Sequence, residues 1–181
     1  QGTPPGVTDT VLFTGFPLNP CSVDVNFTVG NVVLDPSFFG SVNVAPGVRF
    51  QVQDLTIQGG DFNASNGTTN VRGNFSLNGG TFASGITQTA SRGDFVISGG
   101  LFNHGGGIVS IDGSVNQAFS PGPATLNNVQ IFSGGGIVTL MGSIELQGTW
   151  DYGSGDDDPG SSTLDLLGGT QQFLGNNTFF K

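Results

Sequence analysis

Apolar and polar residues alternate in short runs along this chain, and the runs return at a fixed spacing. Residues 73–82 read GNFSLNGGTF, residues 93–102 read GDFVISGGLF, and residues 55–62 read LTIQGGDF. In register, Leu55, Phe75 and Phe95 form one column, and Ile57, Leu77 and Ile97 the next. Gly59, Gly79 and Gly99 follow, then Gly60, Gly80 and Gly100, then Phe62, Phe82 and Phe102. Alternation puts Phe75 and Leu77 on one side of a strand and Ser76 and Asn78 on the other. The glycine pair permits a sharp corner because glycine takes positive φ freely. Twenty residues at about 3.3 Å each give roughly 65 Å of contour, enough for one turn of a three-sided coil stacked about 4.8 Å from the next. A fixed period of this size predicts an all-β fold, a parallel β-helix (β-solenoid) with coils of roughly 20 residues. An antiparallel sandwich is the competing fold, but it does not require identical columns at fixed spacing.

The clean repeats cover residues 55–114. Residues 22–54 alternate like strands (VDVNFTV, SVNVAPGVRFQVQ) without keeping the register. Downstream, GGGIVSIDGSV at 105–115 returns as GGGIVTLMGSI at 134–144. That spacing exceeds one repeat, so residues 116–128, with Pro121 and Pro123, read as an inserted loop. IELQGTW at 144–150 replays FSLNGGTF and places Trp150 in the Phe column. DYGSGDDDPG, within 151–161, reads as a second insertion. The domain organisation expected is an N-terminal extension over 1–21, then a solenoid over 22–181.

Composition agrees with strand throughout. The chain has 32 glycines and 16 Phe but one Tyr and one Met, so helix formers are scarce and buried aromatic ladders are favoured. Formal net charge is -9, with only Arg49, Arg72, Arg92 and Lys181 basic. That argues against nucleic acid, whose phosphates are bound by Lys and Arg, and against anionic membrane surfaces. No apolar run is long enough to insert as a membrane helix. Cys21 is the only cysteine, and NPCSVDV offers no base to activate it, so it reads as an idle or buried thiol. Gln1 opening into GTPPG is read as a mature end left by removal of a signal.

The texture GNFSLNGGTF…GDFVISGGLF…GGTQQFLGNNTFF resembles the β-helical repeats of large bacterial surface and secreted proteins, such as filamentous-haemagglutinin-like adhesins and autotransporter passengers. The resemblance covers about residues 55–181. It implies a right-handed parallel β-helix, an extracellular or cell-surface location, and structural or adhesive work.

Right-handed β-helices also include polysaccharide lyases and hydrolases, whose sites gather several carboxylates on one face. Here the acids Asp61, Asp94 and Asp112 are scattered, so no enzyme is expected. Arg72 and Arg92 beside Asp94 could contact a sugar, but they read better as surface residues flanking turn glycines. His104 is the only histidine, so neither a triad nor a zinc site can be built around it. Asp151, Asp156, Asp157 and Asp158 are the one charge cluster. Their carboxylates and flanking glycines could suit calcium, although the spacing fits no known calcium loop, and a solvated loop is the plainer reading. No other cofactor is implied. Sequons fall at Asn26, Asn63, Asn66, Asn74 and Asn176, most of them attributable to an Asn-, Ser- and Thr-rich chain.

A stack of coils leaves open strand edges at both ends, and no amphipathic helix is evident to cover them. Either the chain is a slice of a longer protein or its ends meet other copies, and copies are favoured. The expectation is a structural subunit of an extracellular filament, polymerising head to tail by strand donation or coil stacking. TVLFTGF has no partner in the repeat register, so Val11, Leu12, Phe13 and Phe16 are expected to bury against another copy. A cell-surface adhesin contacting polysaccharide is the alternative, and a polysaccharide-acting enzyme the third.

Overall fold

The computed structural model describes residues 3–16, 19–64, 67–86, 88–168 and 172–175. These contain twenty strands and no helix. The strands form three walls of parallel strands, visited in the same order on each of about eight turns. Wall one stacks Thr10–Phe13, residues 31–34, 54–57, Phe75–Leu77, Phe95–Ile97, Gln117–Ser120, residues 137–140 and 156–158. Wall two stacks Cys21–Val23, Ser41–Val44, Asp61–Asn63, Thr81–Ala83 and Leu101–Asn103. It then breaks and resumes as Thr125–Leu126, Ser143–Leu146 and Thr163–Leu166. Wall three stacks residues 27–29, 50–52, Thr68–Val71, Gln88–Ser91, Ile108–Ile111, residues 128–131, 149–152 and Gln172–Gly175.

The repeat columns are the register of this stack. Leu55 pairs with Phe75, Phe75 with Phe95, and Phe95 with Phe119. Phe62, Phe82 and Phe102 form the parallel column on wall two. Stacked rings lie 4.7 Å apart for Phe75–Phe95 and 5.6 and 5.5 Å along the second column. The columns meet edge to face, with Phe75 and Phe82 centroids 5.0 Å apart at 75°. Offset-stacked and edge-to-face contacts are the two arrangements aromatic quadrupoles favour.

The two corner glycines have different jobs. Gly80 sits at φ +66°, the left-handed region, and makes the turn. Gly79 does not share that conformation; a side chain there would strike the Gln58 carbonyl of the preceding turn. At the corner between walls three and one, a stack of Asx side chains caps the backbone, with Gly73 and Gly93 just before Asn74 and Asp94. The backbone N–H of Asn74 donates to Asp54 Oδ1 at 2.7 Å, and that of Asp94 to Asn74 Oδ1 at 2.8 Å. Ala118 N–H donates to Asp94 Oδ1 at 2.8 Å and continues the ladder.

Five expectations are corrected. Thr10–Phe13 has a partner in the register, residues 31–34, so it is the first rung rather than an extension. Residues 116–128 are not a loop, because 117–120 and 125–126 are rungs of walls one and two. The two GGGIV phrases are therefore not equivalent: Ile108–Ile111 lies on wall three, whereas residues 137–140 lie on wall one. Residues 151–161 are likewise largely strand, with Asp156, Asp157 and Asp158 paired to Ile137, Val138 and Thr139. Trp150 lies opposite Val129 on wall three and touches Phe119 edge-on at 6.4 Å, outside the column of Phe82.

Candidate functional site

Inward-facing side chains are buried along most of the solenoid, but on the first and last described turns they are only partly so. On the first turn Val11, Phe13, Cys21, Val23 and Phe27 surround a mouth of about 380 Å³ that opens into the core. Val11 and Phe13 are half-buried, while Leu12 on the outer side is exposed. Phe16 is 81% exposed and stacks on exposed Phe39 at 4.6 Å. The four residues expected to bury as a unit therefore divide between the mouth and the outer wall. Cys21 is half-buried, and burial pushes its thiol up, away from the reactive thiolate.

The last described turn is the mirror of this situation. Phe173 continues the column of Trp150, and Leu164 and Leu166 continue those of Ile144 and Leu146. Phe173 and Leu166 are nonetheless 38% and 44% exposed. Inward-facing apolar side chains are thus only partly buried on the first and last described turns.

The acidic residues do not converge. Asp151 takes a hydrogen bond from Gln130 Nε2 at 3.3 Å, and Asp158 Oδ1 accepts Gly160 N–H at 3.0 Å. Asp156, Asp157 and Asp158 are consecutive on a strand, so their side chains alternate between sides. Among the described residues no group of three metal-ligating side chains comes together. Their effect falls instead on Tyr152, whose phenol donates to the Gly155 carbonyl. Burial, reinforced by Asp157 and Asp156, pushes that phenol up to about 12.

No family model matches this chain, and neither a curated protein nor a solved structure does. The fold and the residues themselves carry the functional argument.

Arg92 pairs with Asp112 on the following turn at 3.6 Å, not with Asp94, whose carboxylate caps Ala118. Burial pushes the Asp112 carboxyl up despite Arg92. A raised folded-state value means that folding favours the protonated form relative to the unfolded chain. Its contribution is full at low pH and is lost as pH rises through the elevated value. Asp112→Asn is therefore expected to leave the neutral-pH melting temperature unchanged or slightly higher, by under about 1 kcal/mol in stability. A clear drop would mean that the Arg92 pair outweighs burial.

His104 Nδ1 accepts Gly106 N–H at 2.9 Å, while its carbonyl takes Ser84 Oγ–H at 2.8 Å. It borders the break in wall two, a cleft of about 390 Å³ between Phe102 and Thr125. Pro123 lines this cleft, and the next wall-two rung, Thr125–Leu126, pairs with Ser143–Leu146 rather than with Leu101–Asn103. Of the sequons, Asn26 Oδ1 accepts Arg49 N–H and Asn74 Oδ1 accepts Asp94 N–H, while Asn63 Nδ2 is spent on Asn43. Asn66 and Asn176 lie outside the described residues.

The reading from sequence missed the Asx ladder. Its signal was present as Asp54, Asn74 and Asp94, twenty residues apart.

Proposed function

We propose that the protein is the structural subunit of an extracellular filament in which copies stack end to end, coil on coil. One observation supports this reading: the first and last described turns present the same three walls in the same order. The first described turn and the last each supply one strand to each wall, so a coil stacked on one would find the same wall order as a coil stacked on the other. Continuing the wall-three column by one coil sets Phe173 of one copy against Phe27 of the next. Such a contact is head to tail and propagates without closing. Coil stacking is preferred to strand donation because Thr10–Phe13 already pairs with its own chain, and donation would have to break that pairing.

Negative-stain imaging in high-salt buffer tests the reading. Rods many subunits long are expected from the unmodified chain. Phe173→Glu should give single rods with an unchanged far-ultraviolet circular dichroism spectrum. Single rods from the unmodified chain at every concentration would overturn it. An adhesin module that docks polysaccharide on the exposed Phe16–Phe39 pair is the second reading, and single rods that bind polysaccharide would favour it.

A further inference from the structure

We propose that the break in wall two is a docking site for a peptide segment of another protein, uncharged and extended, which adds to the Leu101–Asn103 edge as a rung. The register explains why the wall opens there. Phe119 lies over Phe95 and Asn128 over Ile108, so residues 119–128 close the arc that residues 95–108 cover one turn earlier. This shorter path omits the corner turned at 104–107, and Thr125–Leu126 pairs only with the turn that follows it. Beside the gap, Asn127 Nδ2 donates back to the Gly106 carbonyl at 2.7 Å and ties the two turns together.

The edge presents its backbone groups in strand order. In a parallel ladder the N–H and C=O of one residue face the same neighbouring strand, and successive residues face opposite ones. Leu101 N–H donates back to the Gly80 carbonyl at 2.8 Å, and the Asn103 carbonyl accepts Ser84 N–H at 2.9 Å. Phe102, between them, therefore turns its N–H and C=O toward the cleft. The Gly100 carbonyl and His104 N–H complete the set, one turn on from the Gly80 carbonyl and Ser84 N–H that hold Leu101 and Asn103. A turn earlier, the Gly60 carbonyl and Ala64 N–H hold Thr81 and Ala83 in the same way, each at 2.8 Å. The same four groups thus bind an extended backbone at both preceding turns, and no described residue binds them here.

An extended peptide matches all four groups, which is how strand addition at a sheet edge gains its affinity, whereas sugar hydroxyls keep no such alternation. The far side of the cleft contributes as well. Gln147 N–H donates to the Leu126 carbonyl, so Leu126 faces the next turn and Thr125 turns its N–H and C=O back toward the gap. No charged side chain lines the cleft of about 390 Å³, so the segment that fits it is uncharged. Its residue in register with Phe102 points inward, as Phe82 does, and meets the buried side chains of Ile97, Phe102 and Ala124. A small apolar side chain suits that position. The residues on either side of it point outward, next to exposed Leu101.

Amide hydrogen exchange of the full chain, followed by NMR, tests the edge first. The Phe102 and His104 amides should exchange about a hundredfold or more faster than those of Phe62 and Phe82, which face paired rungs. Equally slow exchange would mean that the edge is already covered, and overturns the proposal. The probe is then the end-blocked peptide Thr-Thr-Val-Thr-Thr, which should slow both amides and shift the resonances of residues 100–104 and 123–126. N-methylation of its fourth residue removes the N–H that meets the Phe102 carbonyl and should weaken binding by about tenfold or more. Equal binding of the two peptides, or binding of neither, overturns the proposal. His104→Pro deletes the edge N–H at that position and should weaken the unmethylated peptide similarly, with an unchanged far-ultraviolet circular dichroism spectrum. A folded His104→Pro chain that binds as tightly as the unmodified one also overturns it. Maltotetraose slowing the same amides at lower concentration than the peptide would assign the cleft to sugar instead. None of these results depends on whether copies stack into filaments.

Discussion

Phe75→Ala is expected to lower folding stability by about 3 to 5 kcal/mol, the range for emptying a core Phe site. Phe75 is fully buried and touches three other rings: Phe95 stacked on it, and Phe82 and Phe102 edge-on. The walls around it are hydrogen-bonded strands, so they cannot close over the void, and the cavity term persists with the transfer term. Phe16→Ala is the control. That ring is exposed and meets only Phe39, so its loss should cost under about 1 kcal/mol. Denaturant unfolding of the two variants decides the matter. Similar losses from both would mean that the interior ladder does not hold the fold together.

Gly80→Ala is the second large effect, at about 3 kcal/mol or more, because two penalties add there. The left-handed backbone strains any side chain by about 1 to 3 kcal/mol. A methyl group would also run into the Gly60 carbonyl of the turn below, part of a corner that repeats again at Gly100. Gly106→Ala separates the terms: its φ is +84°, yet nothing lies within 4 Å of the added carbon. It should show the strain alone. Equal losses at the two positions would mean that the corner can relax and that close stacking there is unimportant.

The residues that were legible from sequence are those whose role repeats at identical spacing. Phe75 and Phe95, or Phe82 and Phe102, occupy equivalent environments one turn apart, so alignment of the phrase is alignment of the structure. The reading failed where likeness of sequence parted from likeness of position. IVSI at 108–111 and IVTL at 137–140 look alike because walls three and one both want alternating β-branched residues, but they lie on different walls. The three glycines before the second phrase misled further. Gly134, Gly135 and Gly136 lie within one strand, Asn128–Leu140, that passes from wall three to wall one. Asp156, Asp157 and Asp158 were hidden for a related reason. Aspartate is rare in strands, and only the pairing with residues 137–139 shows that these three form a rung. The end surfaces were legible only in outline, since column positions outside the clean repeats depend on register shifts that sequence similarity does not report.

The break in wall two has a consequence for cooperativity. In a solenoid each turn touches only its neighbours, so stability is a chain of nearest-neighbour couplings. Between the turn ending at Ile111 and the one beginning at Gln117, two walls pair and the third does not. That junction is the weakest coupling along the axis. It divides the molecule into two foldons, one of five turns holding the stacked Phe columns and one of three turns holding Trp150 and the acidic strand. Partial opening under stress would begin there, peeling away the end that carries Asp157 while the aromatic block stays folded.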